Sequence, residues 1–292
     1  MSTHHLTSFH PQPMARSLFV RCAACLLSCL VTASVHADTW TLGHGDIGVA
    51  FDPVTSGTTF EMEVHLHTGA VVSGSALPAD GHYEPDAVTI AVPKSANLKA
   101  ISTGSGQWGG DTAGYDFVAT GATLGVAEGS NLWLLSFDGS DADFYQTPFL
   151  GWATEEGFVG NSFGNVTFTP YSFSSPTGGS MGIFEADLTP LWVLLAGDSS
   201  FTGDSFEVAP DSHVHRVLAF TQPGIYQIGI RATSLLDGAT TVVGEGVYTF
   251  QVVPEPSSIA LAGLGAAGAL AAGWRRRRRA AGENSAFAEA AR

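Results

Sequence analysis

The sequence predicts an all-β fold, specifically an antiparallel β-sandwich of the Ig-like or jelly-roll-like kind. The 292 residues include 35 Gly and 14 Pro but only 13% charged residues, which favours strands joined by turns over long surface helices. Hydrophobic residues make up 45% of the chain, enough to bury a core. The third observation is a period-two alternation of apolar and polar residues through the middle of the chain.

Residues 58–67 show this alternation most clearly, and the same pattern returns at 225–231 and 248–252. In the first segment one face carries four apolar side chains and the other carries acidic and imidazole side chains, as expected of a half-buried strand. The apolar face consists of Phe60, Met62, Val64 and Leu66. The polar face consists of Glu61, Glu63, His65 and His67.

Two other features complete the predicted sandwich. The continuous apolar runs at 132–137 and 191–195 predict strands buried on both faces. The turn residues Gln222-Pro223-Gly224 lie between apolar segments at 213–221 and 225–231, so they predict a β-hairpin.

The N-terminal region predicts a signal peptide over residues 1–37. Arg16 and Arg21 precede an apolar run that holds all three cysteines, and residues 35 and 37 supply the small side chains at the −3 and −1 positions before a cleavage site. The body, residues 38–253, is then exported and free of cysteine, so its fold cannot depend on disulfides. The alternative is a lipoprotein signal that would leave Cys29 lipidated.

The C-terminal region predicts a transmembrane helix in the inner membrane. The apolar run 257–274 would span about 27 Å as a helix, close to the hydrocarbon thickness of a bilayer. The arginine cluster after it stops transfer, which leaves residues 280–292 as a cytoplasmic tail. The residues on either side of the run are Pro254, Glu255 and Pro256 before it, and Arg275, Arg276, Arg277, Arg278 and Arg279 after it.

The Pro-Glu-Pro motif, apolar helix and arginine cluster, in that order over residues 254–279, resemble the PEP-CTERM sorting signal of Gram-negative bacteria. The resemblance implies an exosortase-type sorting enzyme as a partner, which cuts near the motif and passes the protein to the cell surface or extracellular matrix. Extracellular polysaccharide is a further candidate partner there. This resemblance implies a route and no activity.

The charge distribution excludes one class of partner and favours another. The body carries 24 acidic residues against four basic ones, a formal net charge of −20. Such a surface repels the phosphate backbone, so a nucleic-acid partner is not expected. The same field attracts cations.

Histidine is the residue type that points to a function. Four of the six histidines of the body form two H-x-H pairs, and residues i and i+2 of a strand face the same way, about 6.6 Å apart. Neutral imidazole is the commonest metal ligand, and no cysteine competes in the body. We therefore expect a zinc site with His65, His67, His213 and His215 as ligands and His44, Asp46 and His82 as secondary candidates.

Seven candidates exceed one tetrahedral zinc site. Either some of them only support the ligands, or two sites exist, or some take no part. The alternative for all of the histidines is an ordinary solvated position on an exposed strand.

A second resemblance concerns the body. The segments 44–48, 63–67 and 213–226 are similar, in order, to the motifs of the surface-anchored choice-of-anchor M domain. Together with the PEP-CTERM end, they resemble a bacterial family named for repression by the zinc regulator Zur. This resemblance implies expression under zinc shortage and gives no catalytic residue.

The sequence thus predicts an exported, surface-sorted zinc-binding protein that is not an enzyme. The first alternative is a structural or adhesive matrix protein without a metal. The second is a metal-dependent hydrolase, which would need a carboxylate base, with Glu63 and Glu84 as the candidates.

Overall fold

The computed structural model describes residues 37–253, except residues 55, 94, 98–116, 128–129, 159 and 161. These ranges are mostly β-strand, which confirms the predicted strand-rich fold. The predicted signal peptide, transmembrane helix and cytoplasmic tail lie outside the described residues. Within those residues, both helices are too short to cross a bilayer.

The elements follow the chain in this order. The strands are β1 (Asp38–Ala50), β2 (Glu61–Leu66), β3 (Val71–Val72), β4 (Ser75–Ala76), β5 (Gly81–Tyr83), β6 (Val88–Val92), β7 (Ser95–Asn97), β8 (Asn131–Leu135), β9 (Pro148–Glu156), β10 (Val166–Ser174), β11 (Met181–Phe184), β12 (Pro190–Leu194), β13 (Phe206–Val208), β14 (His213–His215), β15 (Val217–Phe220), β16 (Gly224–Leu236) and β17 (Thr240–Val252). The helices are α1 (Phe117–Thr123) and α2 (Gly139–Tyr145).

The strands form two sheets, and the larger one has two parts that share β1. In the first part the order is β13, β10, β16, β17, β6 and β1, with the β3–β4 hairpin also on β1. In the second part the order is β14, β9, β1, β2 and β5. The smaller sheet runs β12, β11, β15, β8 and β7.

Strand β1 changes partners at Gly43. Its first residues, 38–40, pair with β6, whereas residues 43–50 pair with β9, joined from 45 by β2. Gly43 has φ +86°, and a Cβ there would lie 2.8 Å from Cα of Ala70. Only glycine fits both conditions. It therefore directs the second half of β1 into the part of the sheet that carries the histidines.

The hydrophobic core is formed by side chains from both sheets. The predicted apolar faces of residues 60–66, 226–230 and 248–252 are buried, as the alternation requires. Trp152 of β9 meets Trp192 of β12 edge to face, with ring centroids 5.5 Å apart, so the larger and smaller sheets contribute to one hydrophobic cluster. The arrangement of the two sheets as a sandwich stays a prediction.

Purely antiparallel pairing is wrong. Strand β1 is parallel to both β6 and β9, and β17 is parallel to β6. Alternation of apolar residues has a period of two in either direction, so the sequence pattern of a half-buried strand does not distinguish the two kinds of pairing.

The predicted hairpin at residues 222–224 is also wrong. The segment 213–221 divides at Arg216 into β14, which pairs with β9, and β15, which pairs with β8 and β11 in the smaller sheet. Strand β16 returns to the larger sheet. The turn therefore joins strands of two sheets. The Tyr226 hydroxyl closes it by donating to the carbonyl oxygen of Gln222 at 2.9 Å.

The two continuous apolar runs have different outcomes. Residues 132–135 in β8 are buried on both faces, as predicted. In β12, however, only Trp192 and Leu194 are buried, and Leu195 is 38% exposed. The reason is position, because β8 is an inner strand of the smaller sheet and β12 is at its edge.

Candidate metal centre

The second part of the larger sheet aligns four polar residues and one glycine across its five strands. His215 of β14 pairs with Gly151 of β9, which pairs with Asp46 of β1. Asp46 pairs with His65 of β2, and His65 pairs with His82 of β5. Directly paired residues share a face of a sheet, so these side chains form one row on one side.

Residues two positions along each strand add to the same side. His44 and His67 are joined by a backbone hydrogen bond of 3.1 Å, from the His67 amide to the His44 carbonyl. Glu63 and His213 lie in the neighbouring row along the strands, on the side of Asp46 that faces away from His44 and His67. We call this surface the imidazole face, and it comprises His44, Asp46, Glu63, His65, His67, His82, His213 and His215.

The hydrophobic core fixes which way these side chains point. The alternate residues of the same strands, such as Ile47, Val64 and Trp152, are fully or almost fully buried. Val214, between the two histidines of β14, packs against that core. A slip of one residue would exchange the two faces, so burial of the apolar set holds the histidines on the opposite side.

Small residues on β9 allow histidines from two non-adjacent strands to meet. Gly151 and Ala153 lie between β14 and β1, and their lack of bulk leaves space above β9. The His44 ring centroid is consequently 5.1 Å from that of His215 and 5.8 Å from that of His213. Phe149 bounds this space and stacks on His215 at 3.8 Å.

Asp46 is the buried centre of the imidazole face, with no solvent exposure. Its Oδ2 accepts a hydrogen bond of 2.9 Å from Nε2 of His67, and its Oδ1 lies 3.6 Å from Nε2 of His44. Burial raises the pKa of Asp46, but the two imidazoles more than offset this effect and hold the pKa below its usual value. The carboxylate is therefore ionised at neutral pH.

His215 is oriented as a metal-binding imidazole would be. Its Nδ1 donates to the backbone carbonyl oxygen of Leu150 at 3.1 Å, which leaves the lone pair on Nε2. Burial lowers the pKa of His215, and the neighbouring His44 adds to the shift. Both effects favour the neutral form that binds metals.

Glu63, His65 and His82 lie at the β5 end of the imidazole face, opposite the end formed by β14. Nδ1 of His82 donates to Oε2 of Glu63 at 2.9 Å, and its Nε2 is 3.6 Å from Oε1 of Glu156. The ring of His65 stacks on that of His82 at 4.3 Å.

Burial and nearby charges shift the pKa values of these three side chains in different directions. Burial raises the pKa of Glu63 despite the hydrogen bond from His82. Burial lowers the pKa of His65, and repulsion from His82 and His67 adds to this. Burial alone would lower the pKa of His82, but Glu63 and the nearby acids outweigh this effect and raise the pKa. A buried carboxylate beside a neutral imidazole is a place where a bound cation would be stabilised.

Three buried polar atoms of the imidazole face have no hydrogen-bond partner in the described part of the chain. They are Nε2 of His44, Oδ1 of Asp46 and Nε2 of His65. A buried polar group without a partner costs about 1–3 kcal/mol, so native proteins rarely keep several together. A cation accepted by these lone pairs would remove the cost, and the donor chemistry therefore fits a metal.

The described residues form four groups whose ligand atoms lie within 4.8 Å of one another. Each combines imidazoles with or without one carboxylate. The groups are His44–His213–His215, His44–Asp46–His67, Glu63–His65–His82 and His65–His67–Asp80.

All seven predicted site residues lie on the imidazole face, and each belongs to at least one group. The first H-x-H pair, however, lies at the end of β2 and just after it, and the second lies on β14, with β9 and β1 between them. None of these four groups combines the two pairs. Their roles as ligands stay a prediction.

Sequence reasoning missed Asp80 and considered Glu63 only as a catalytic base. The signal for Glu63 was available, because it alternates with His65 and His67 on one strand. The other candidate base, Glu84, belongs to none of the four groups of described residues.

The comparisons with known proteins identify the C-terminal end of the chain. A family model described as the PEP-CTERM protein-sorting motif matches residues 252–278. None of the curated proteins and none of the solved structures match the chain. The matched segment lies almost entirely outside the described residues.

The motif defines the class of protein. It indicates a surface protein that is exported, carries a membrane-anchoring sorting signal at its C terminus and is recognised by an exosortase-type enzyme. The predicted sorting partner is supported in this way. The match covers the sorting signal and leaves the imidazole face to be interpreted from its own chemistry.

We predict that Gly151→Ala destabilises the metal-free protein. A Cβ at residue 151 would overlap Oδ1 of Asp46 and approach the His215 ring, so the buried carboxylate would have to move. Overpacking of this kind costs about 1–3 kcal/mol. Urea unfolding of the full-length chain in detergent, followed by tryptophan fluorescence, measures the change.

Gly164→Ala is the matched control. A Cβ at that position meets its nearest neighbours, which belong to Leu235 and Ser234, at 3.9 Å, an ordinary contact distance. We expect this variant to unfold near the wild-type midpoint. Equal midpoints for Gly151→Ala and Gly164→Ala would show that Asp46 is not confined as described.

Proposed function

We propose that this surface protein binds a transition metal ion, zinc foremost, through the imidazole face. The observation that carries the proposal is the set of three buried polar atoms that have no hydrogen-bond partner among the described residues, on His44, Asp46 and His65. The ring centroids of His44 and His65 lie 4.2–5.1 Å from those of neighbouring imidazoles. A single cation site needs such convergence, and solvated surface histidines do not.

The donor set favours zinc over the common hard cations. Zinc takes four ligands and accepts nitrogen from histidine and oxygen from carboxylates. Calcium prefers six to eight oxygen ligands, and magnesium prefers an octahedral set of oxygens. Each of the four groups is dominated by imidazole or holds at most one carboxylate. The acidic body adds a long-range attraction for any cation.

The location outside the cell and the resemblance to the Zur-repressed family indicate the conditions under which zinc binding is needed. The sorting motif directs the protein out of the cell. The motifs at 44–48, 63–67 and 213–226 are similar to those of a family named for repression by Zur. We therefore propose that the protein captures zinc at the surface when zinc is scarce. A matrix protein without a metal is the competing function, and the experiments below separate the two.

Isothermal titration calorimetry of the chelator-treated, full-length chain in detergent is the direct test. We expect zinc binding at neutral pH and no comparable signal with magnesium or calcium. Replacing both His44 and His65 by Ala should weaken zinc binding by at least about tenfold, because each of the four groups contains one of these two residues and loss of a group that merely hydrogen-bonds to a ligand already costs about 10–100-fold.

Glu61→Gln serves as the control. It removes a charge from an exposed position on β2 and belongs to none of the four groups. We expect it to bind zinc like the wild type. If the wild type takes up no zinc, or if the variant that lacks both His44 and His65 binds as tightly as the wild type, the matrix function is favoured.

We also predict that zinc binding weakens as the pH falls from 7 to 5. Protons compete with the metal for imidazole, and binding releases those that are bound. His82, whose pKa is raised, is the last of the shifted histidines to lose its proton as pH rises, whereas His65 and His215, whose pKa values are lowered, lose theirs earlier.

Calorimetry in two buffers of different ionisation enthalpy gives the number of protons released. That number should be larger at pH 6 than at pH 8. A zinc affinity that is unchanged between pH 7 and pH 5 would contradict binding through histidine.

A further inference from the structure

We propose that the imidazole face holds two metal ions at once, one on each side of Asp46. This inference rests on the proposed function and specifies the number and the composition of its centres. The β14-side centre consists of His44, His213 and His215. The β5-side centre consists of Glu63, His65 and His82.

The count follows from how the four groups share members. His44 belongs to two groups and His65 to the other two, so at most two groups can be filled when each side chain is used once. The pair proposed here has no member in common. It also includes histidines from both H-x-H pairs, and none of the four groups combines the two pairs.

The β5-side centre carries the strongest single indication of a ligand. His65 is only 9% exposed, and its Nε2 has no partner in the described residues. Glu63 is 8% exposed and already accepts a hydrogen bond from His82. Two imidazoles and one carboxylate form a zinc set with an open fourth position. Glu156, at 3.6 Å from His82, stands at its exposed side.

The β14-side centre has a different donor set. Its three ligands are all imidazoles, and the Leu150 carbonyl fixes the orientation of His215. Phe149 stacks against one side of the His215 ring, so access is from the remaining, solvent-facing side. His213 is exposed on that side.

Asp46 makes simultaneous occupancy electrostatically acceptable. It lies in the row between His215 and His65, and its two oxygens face the imidazoles of His44 and His67. A buried negative charge between two cations offsets part of their mutual repulsion. In this role Asp46 is a positioning and charge-balancing residue.

Native mass spectrometry of the zinc-loaded, full-length chain counts the ions. In every sample, four histidines outside the face are first replaced by asparagine, so that they cannot add to the count. These are His4, His5, His10 and His36, and the zinc-binding side chains Cys22, Cys25 and Cys29 are replaced by serine for the same reason. We expect two zinc ions per chain, and we expect Glu61→Gln to keep both.

Paired variants assign each ion to its centre. His44→Ala with His215→Ala should leave one ion, and so should Glu63→Gln with His65→Ala, because His44 and His65 each belong to both groups on their side of Asp46. Combining all four substitutions should leave none. Circular dichroism of each variant shows whether the strands are retained, so that loss of an ion is separated from loss of the fold.

Cobalt(II) titration gives a second measurement that does not depend on mass. Two absorption changes, saturating at one and two equivalents, are expected, and each paired variant should remove one of them. A single ion in the wild type overturns the two-centre proposal but leaves the proposed function intact. No ion in the wild type overturns both.

Discussion

A fully buried carboxylate lies in the middle of one face of a sheet, and the surrounding arrangement depends on it. Asp46 has histidines on its own strand and on the next strand, and Gly151 on the other neighbouring strand leaves it space. Burying an unpaired carboxylate is costly. The sheet meets that cost with imidazole partners, and one of the two carboxylate oxygens still has no hydrogen-bond partner among the described residues.

The topology that creates this face starts with β1. Gly43 turns the strand from one set of partners to another, and its second half then lies between β9 and β2. The parallel β1–β9 pairing brings residues about one hundred positions apart into register. The antiparallel β14–β9 pairing adds residues from still later in the chain. One face of these five strands closes the hydrophobic core, and the other gathers polar residues from four separate segments.

Much of the local structure could be predicted from the sequence. Alternation in residues 60–67 correctly separated the apolar side from the side with His65 and His67, but the predicted half-buried strand is wrong, because Glu63 and His65 on the polar side are buried as well. The order of strands could not be predicted, because a period of two is compatible with any neighbour. For the same reason the hairpin at 222–224 was wrong, since turn residues indicate a reversal and do not say which sheet the next strand joins.

The candidate site was likewise only partly predictable. The seven residues were chosen because they are imidazoles or a nearby carboxylate, and the structure brings them to one face. Gly151 carries no chemical signal of its own, yet the close contacts above β9 depend on it. Glu63 was visible in the alternation, but its burial beside His82 is a consequence of the β2–β5 pairing.

Anomalous diffraction at the zinc absorption edge, from crystals of the zinc-loaded chain, tests the central claim most directly. The account predicts anomalous density on the imidazole face, about 2.0–2.1 Å from imidazole nitrogens of β1, β2 or β14. It would be contradicted by ordered histidine rings bonded only to water, with the zinc density absent or elsewhere on the protein.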